Sequence, residues 1–245
     1  MRQVRACWRM LRILGHILAG LWIAAVRLPR LPAVRQSALV QAWALAFLRH
    51  AGVTLAVRGQ PPGTGPVLLV ANHLSWLDIP VMHAARHCRF VSKSDIKDWP
   101  LIGGLATAAG TLYIERSSRR DALRVVHLMR DALQAGEVLA VFPEGTTGDG
   151  RILLPFHANL LQAAISADAP VQPVGLCFID RVTGQTSHAP SYIGEETLVG
   201  SIWRTLSAPP MVAMVHYGMP ERAGNRDRRA WSQHLHATVD VLRKG

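Results

Sequence analysis

After Gly52 the chain alternates between short, β-rich apolar runs and longer segments of helical period, and few folds accept that pattern. VTLAVRG, PVLLVAN, RFVSK, TLYIE, EVLAVF, VQPVGLCF and MVAMVHYG read as strands. Between them IPVMHAAR, WPLIGGLATAAG, RRDALRVVHLMRDALQAG, ANLLQAAISA and EETLVGSIWRTLSA read as helices, and DRRAWSQHLHATVDVLR as a last one. Strands that alternate with helices pack into a largely parallel sheet with helices on its faces, so the expected fold class is α/β. A length of 245 residues with 49% hydrophobic content suits one such domain with an appendage rather than two full domains.

The first fifty residues differ. Two apolar stretches, ILGHILAGLWIAAV and SALVQAWALAFL, are bracketed by Arg2, Arg5, Arg9, Arg12, Arg27, Arg30, Arg35 and Arg49, and no Asp or Glu occurs before Asp78. The net charge of +11 asks for an anionic partner, nucleic acid or an anionic bilayer. Arginines at the edges of apolar helices point to the bilayer. A cleaved signal is disfavoured, since no clear small-residue site precedes a polar start. Each stretch also falls short of the roughly 20 residues that span a bilayer comfortably. The reading is a helical hairpin over 1–51, broken by Pro29 and Pro32, that dips into one leaflet, followed by an α/β domain over 52–245. The competing reading packs both helices on a soluble core. Cys7, Cys88 and Cys177 lack the spacing of a disulfide framework or zinc site.

In a parallel sheet, ligands bind at the carboxyl ends of the strands. Three strands deliver polar residues there: His73 after PVLLVAN, Arg116 after TLYIE, and Glu144 with Gly145 after EVLAVF. His73 and Asp78 are five residues apart, a step that does not bring side chains together on a helix, so a turn must join them. Asp78 can then accept the ring N–H of His73, fix its tautomer and stabilise its charged form, which makes His73 a general base. A plainer reading makes Ser75 to Asp78 a helix capping box, and the two readings are compatible. With no G-x-S-x-G elbow and no cysteine signature, a base without a protein nucleophile implies that a substrate hydroxyl attacks, for example on a thioester. PEGTTGDG by itself reads as a turn-rich loop. Trp76 and Trp99 suit a lipid interface or the core equally. His234 and His236 lack a carboxylate at metal spacing.

NHLSWLD resembles the H-x-x-x-x-D block of glycerolipid acyltransferases of the lysophosphatidic acid acyltransferase type. GTLYIER resembles their second block, FPEGT the third and APVQPVG the fourth, in the same order from Asn72 to Val174. The apolar N-terminus also resembles that family's membrane-dipping element. The resemblance implies a His73 base oriented by Asp78, and Arg116 on the acceptor's anionic group. It further implies Glu144, Gly145 and Thr146 in the acceptor site, and a lyso-lipid acceptor. The co-substrate would be acyl-CoA or acyl-carrier protein, with no cofactor, metal or nucleic acid, at the cytoplasmic face of the inner membrane. Two departures bear on the acceptor: Thr147 stands where the family commonly has arginine, and His157 where it commonly has lysine. SWLDIP, WPLIG and the arginine-free FPEGT block resemble the lyso-ornithine lipid acyltransferase branch. A basic nucleic-acid binder and a lipid hydrolase are the alternatives from other classes.

Overall fold

A computed structural model describes residues 2–114 and 119–245. Two long helices come first, α1 (Arg2–Trp22) and α2 (Ala33–Ala51), joined by a wide turn over Ile23–Arg27 and a tight one over Leu28–Arg30. A sheet follows, built from β1 (Val53–Arg58), β2 (Val67–Ala71), β3 (Arg89–Lys93), β4 (Leu112–Ile114), β5 (Val138–Val141), β6 (Val171–Asp180) and β7 (Met211–Tyr217). The intervening helices are α3 (Asp78–Ala85), α4 (Ile102–Ala108), α5 (Arg119–Gln134), α6 (Leu161–Ser166) and α7 (Leu198–Ser207), with α8 (Arg228–Leu242) last.

The sheet order is β1-β7-β6-β2-β5-β3-β4, and every neighbouring pair is parallel except β6 with β7. All five residues of β2 are buried, as a central strand covered on both faces requires. Its side chains alternate: Leu69 and Ala71 join the core under α2 and α3, whereas Leu68 and Val70 join the core under α5, α6 and α8. Trp231 of α8 is completely buried in the second core, its indole N–H donating to Glu221 Oε1 at 2.5 Å.

The first core continues through the N-terminal helices. Ala44, Phe47, Leu48 and Ala51 of α2 and Ala6 and Ile13 of α1 belong to it, and Gln41 Nε2 donates to the carbonyls of Ala84 and Ala85 at 3.1 Å. One core thus crosses the point between residues 51 and 52 where the hairpin was expected to end. Two arginines expected at a leaflet are engaged by protein. Arg9, only 7% exposed, donates to the carbonyls of Leu206 and Ala208, and Arg5 to that of Ser207. These carbonyls close the C-terminus of α7, where unpaired acceptors and the negative dipole end attract cations.

The opposite face of α1 is uncovered. Val4, Trp8, Leu11, Leu14, Leu18 and Trp22 are exposed at a spacing that places them on one stripe. The helical stretch Arg2–Arg30 is also longer than the apolar run suggested. Its 29 residues have the length and composition to cross a membrane.

Candidate active site

The site is built where β2 ends. Asn72, 1% exposed, takes the place of a further rung: its Nδ2 donates to Leu176 O at 3.0 Å and its Oδ1 accepts from Leu176 N–H at 2.7 Å. This pins the strand end to β6, and the chain then turns through His73–Leu77 into α3.

Inside that turn Asp78, fully buried, gathers donors on one oxygen. Oδ2 accepts from His73 Nδ1 at 2.8 Å, Leu74 N–H at 2.6 Å and Ser75 N–H at 2.8 Å. Because a carboxylate only accepts, Nδ1 carries the proton, which leaves Nε2 as the basic nitrogen of a ring 20% exposed. The bond to Ser75 N–H is one half of the capping box read in the sequence, so Asp78 caps the turn and orients the histidine together. Oδ1 is buried without a hydrogen-bond partner among the described residues.

The strand neighbouring β2 supplies the rest. Phe142, directly after β5, stacks on the His73 ring with centroids 4.0 Å apart and planes 7° apart. Phe142 is held in turn by Phe90 at 5.6 Å. The chain reverses at Pro143–Gly145: Gly145 N–H donates to Phe142 O at 3.1 Å, and Gly145 adopts φ 72°, a conformation open to glycine and strained for most residues.

Glu144 follows the reversal inwards and is 6% exposed. Its Oε1 accepts from His73 N–H at 2.6 Å and its Oε2 from Leu154 N–H at 2.9 Å. Burial pushes its carboxyl above the usual range, opposed by the backbone N–H groups of His73 and Leu154. The His73 carbonyl accepts from Gly148 N–H at 2.8 Å. The backbone of His73 is therefore clamped on both sides by the Glu144–Gly148 loop, and its ring by Asp78 and Phe142.

Of the residues singled out in the sequence, His73, Asp78 and Glu144 come together, with Gly145 making the turn. Thr146 is exposed at the mouth of the loop. Arg116 lies in 115–118, outside the described residues. At the two departures, Thr147 donates its hydroxyl to Tyr192 O, and His157 is exposed. Asn72, Phe142, Gly148 and Leu154 were not read from the sequence. Phe142 stood inside the FPEGT block, and only its side-chain direction was missing. A cavity of about 170 Å³ lined by Leu74, Arg151, Cys177, His188 and Arg243 adjoins this turn and includes neither His73 nor Asp78.

The acyltransferase family model matches residues 49–177, a span that holds this whole cluster. The chain belongs to the acyltransferase family. Among relatives of this acyltransferase, the lyso-ornithine lipid O-acyltransferase of Pseudomonas aeruginosa is 38% identical over 212 residues, covering 84% of this chain and 81% of that protein. The 1-acyl-sn-glycerol-3-phosphate acyltransferase of Neisseria gonorrhoeae is 37% identical over 186 residues, covering 76% and 72%. The fold of this acyltransferase is similar to the crystal structure of the 1-acyl-sn-glycerophosphate (LPA) acyltransferase PlsC from Thermotoga maritima. That match has a TM-score of 0.75 at 16% identity and covers 100% of this chain and 97% of the other.

Proposed function

We propose that this acyltransferase moves a fatty acyl group from a thioester, acyl-CoA or acyl-carrier protein, to the free hydroxyl of a lyso-lipid in phospholipid biosynthesis. The observation that carries the reading is the His73 ring held by a buried carboxylate at 2.8 Å with its second nitrogen left basic. In the step proposed, His73 Nε2 takes the hydroxyl proton as the lipid oxygen attacks the thioester carbonyl. The carbon–sulfur bond then breaks, the thiolate leaves, and the imidazolium returns the proton to sulfur. Asp78 keeps the tautomer and stabilises the transient cation. Glu144 acts here as a positioning residue, both of its oxygens being occupied by backbone N–H groups. Arg116 and Thr146 are proposed at the acceptor's headgroup.

The relatives' names support a lyso-lipid acceptor and divide over which one. A second reading, O-acylation of lyso-ornithine lipid, is favoured by Thr147 and His157 at positions where the resemblance would put cations. The uncovered stripe on α1 supports binding at a lipid surface, with the helix lying along it because Arg5 and Arg9 anchor it to α7.

The test is incubation of the purified protein with labelled acyl thioester and a panel of lyso-lipids, with products identified by mass. A diacyl lipid formed by the wild type and not by His73→Ala is expected. Thioester hydrolysis that proceeds equally well without acceptor would favour a hydrolase and overturn the proposal. Strict preference for lysophosphatidic acid would remove the second reading.

A further inference from the structure

The segment joining β3 to α4 ends in a strained tip. Ile102 N–H donates to Pro100 O at 2.7 Å, closing a three-residue turn around Leu101, which adopts φ 67° and ψ −44°. A leucine at positive φ in such a γ-turn is rare and costly, and strain of this kind persists only where surrounding structure enforces it.

The enforcement is visible. Gly103 N–H donates to Trp99 O at 2.9 Å, and a Cβ on Gly103 would stand 1.9 Å from Lys97 O, so the turn is seated against the preceding short helix Ser94–Asp98. Tyr113 of β4 donates to Gly103 O at 3.3 Å and shares a hydrogen bond with Thr107 at 2.9 Å.

The side chains displayed by this rigid tip are apolar: Trp99, Leu101 and Ile102 are 38%, 40% and 38% exposed. The helix that this tip opens, α4, packs against α1 beside its outward stripe. Leu21 touches Gly104, where a Cβ would lie 3.0 Å from its methyl group, and Leu21 is about 60° around the helix from exposed Leu18. Arg27 and Arg30 are exposed at that end of α1, and Lys93 and Lys97 flank the tip beside Asp95 and Asp98. An apolar tip with a tryptophan, on a helix packed beside the arginine-bearing end of α1, fits the boundary of an anionic leaflet.

We propose that Trp99, Leu101 and Ile102 form a second membrane-inserting element that enters the same leaflet as the outward face of α1. This rests on the membrane reading of α1, and the test separates the two.

Proteins with one accessible cysteine, in a background with Cys7 and Cys177 changed to Ser and buried Cys88 kept, would carry an environment-sensitive dye at Leu18→Cys, Leu101→Cys or Leu128→Cys on α5. Vesicles of phosphatidylcholine with a minority of phosphatidylglycerol should shift the dye at 18 and 101 to the blue and leave 128 unchanged. Lipids spin-labelled near the headgroup should quench the same two. A shift at 18 without one at 101 overturns the tip and leaves the α1 reading intact. No shift at either overturns both. A concentration-dependent shift at 101 without vesicles would mean that a second copy covers the tip, and would also overturn it. As a check independent of labelling, Leu101→Gly relieves the positive φ and should fold at least as stably, yet partition to vesicles about threefold more weakly. Undiminished partitioning by that variant counts against the proposal.

Discussion

The turn after β2 and the outward face of α1 invert the usual arrangement of a soluble protein in opposite senses. At the turn a carboxylate is wholly buried, and at α1 a row of Leu, Val and Trp faces outwards. The buried charge is tolerable because Asp78 Oδ2 has three donors within 2.8 Å, all from the five-residue turn that leads into it. The exposed row has no such local remedy, since nothing among the described residues covers it, and a contiguous apolar surface of this kind normally marks an interaction site. The buried charge is met at Oδ2 by the fold itself, whereas apolar exposure calls for something outside it.

The largest expected effect separates the two regions. Asp78→Asn should reduce turnover by about three to four orders of magnitude, because the amide no longer holds the tautomer with Nε2 unprotonated. Vesicle binding should be unchanged, and loss of both together would tie the turn to the membrane face. In the reverse experiment, Trp8, Leu11 and Leu18 are changed to Ser together. Vesicle partitioning should fall on the order of a hundredfold, scaling with the apolar area withdrawn from lipid. Activity towards detergent-dispersed substrate should change far less. Equal loss of both would show that α1 shapes the site rather than the encounter with lipid.

Glu144→Gln sharpens the comparison within the turn. The amide has one acceptor oxygen, so one backbone N–H, of His73 or Leu154, is left facing an NH2 group. A fall in kcat of about tenfold or more, with little change in KM for the lyso-lipid, is expected of a positioning residue. A raised KM at unchanged kcat would instead return Glu144 to the acceptor site. Burial raises the Glu144 carboxyl, so acidification protonates it before an ordinary glutamate and weakens the clamp. The acidic limb of the activity profile should accordingly flatten in Glu144→Gln.

A last effect, on stability rather than turnover, concerns the end of α3 and the residues that follow it. His83 and His87 stack at 5.2 Å, and burial lowers their pKa values from 6.5 to about 3 and about 4. Between the unfolded and folded values the unfolded chain binds protons that the folded chain does not. Stability is therefore full above about pH 6.5 and declines as pH falls towards 4, by up to about 1.4 kcal/mol per pH unit for each histidine. His83→Leu should reduce that slope in denaturant titrations at several pH values, and an unchanged slope would remove the assignment.

Much of the strand and helix order was legible because period-2 and period-3.6 patterns are local. The parallel sheet followed, since helices separate most strands. The antiparallel β6–β7 pair was not legible, for direction depends on how the long 181–210 connection is routed. The His73–Asp78 partnership could be read from a spacing that only a turn satisfies. Glu144 was found as a residue, but its hold on the backbone was not legible, because its partners, the N–H groups of His73 and Leu154, lie 71 and 10 positions away. Phe142 is a similar case: its place at the end of β5 was plain, and its stacking on His73 needed β5 to lie beside β2.

By itself, the sequence determined an α/β sheet, the strand ends at which His73 and Glu144 stand, and an arginine-flanked apolar N-terminus. Periodicity, turn residues and motif spacing are written within a few tens of residues. Only the tertiary structure decided which arginines of α1 serve α7 and which face of that helix is left bare. It alone decided that both oxygens of Glu144 hold backbone, because contacts between distant segments depend on how the elements pack and no local pattern encodes their register.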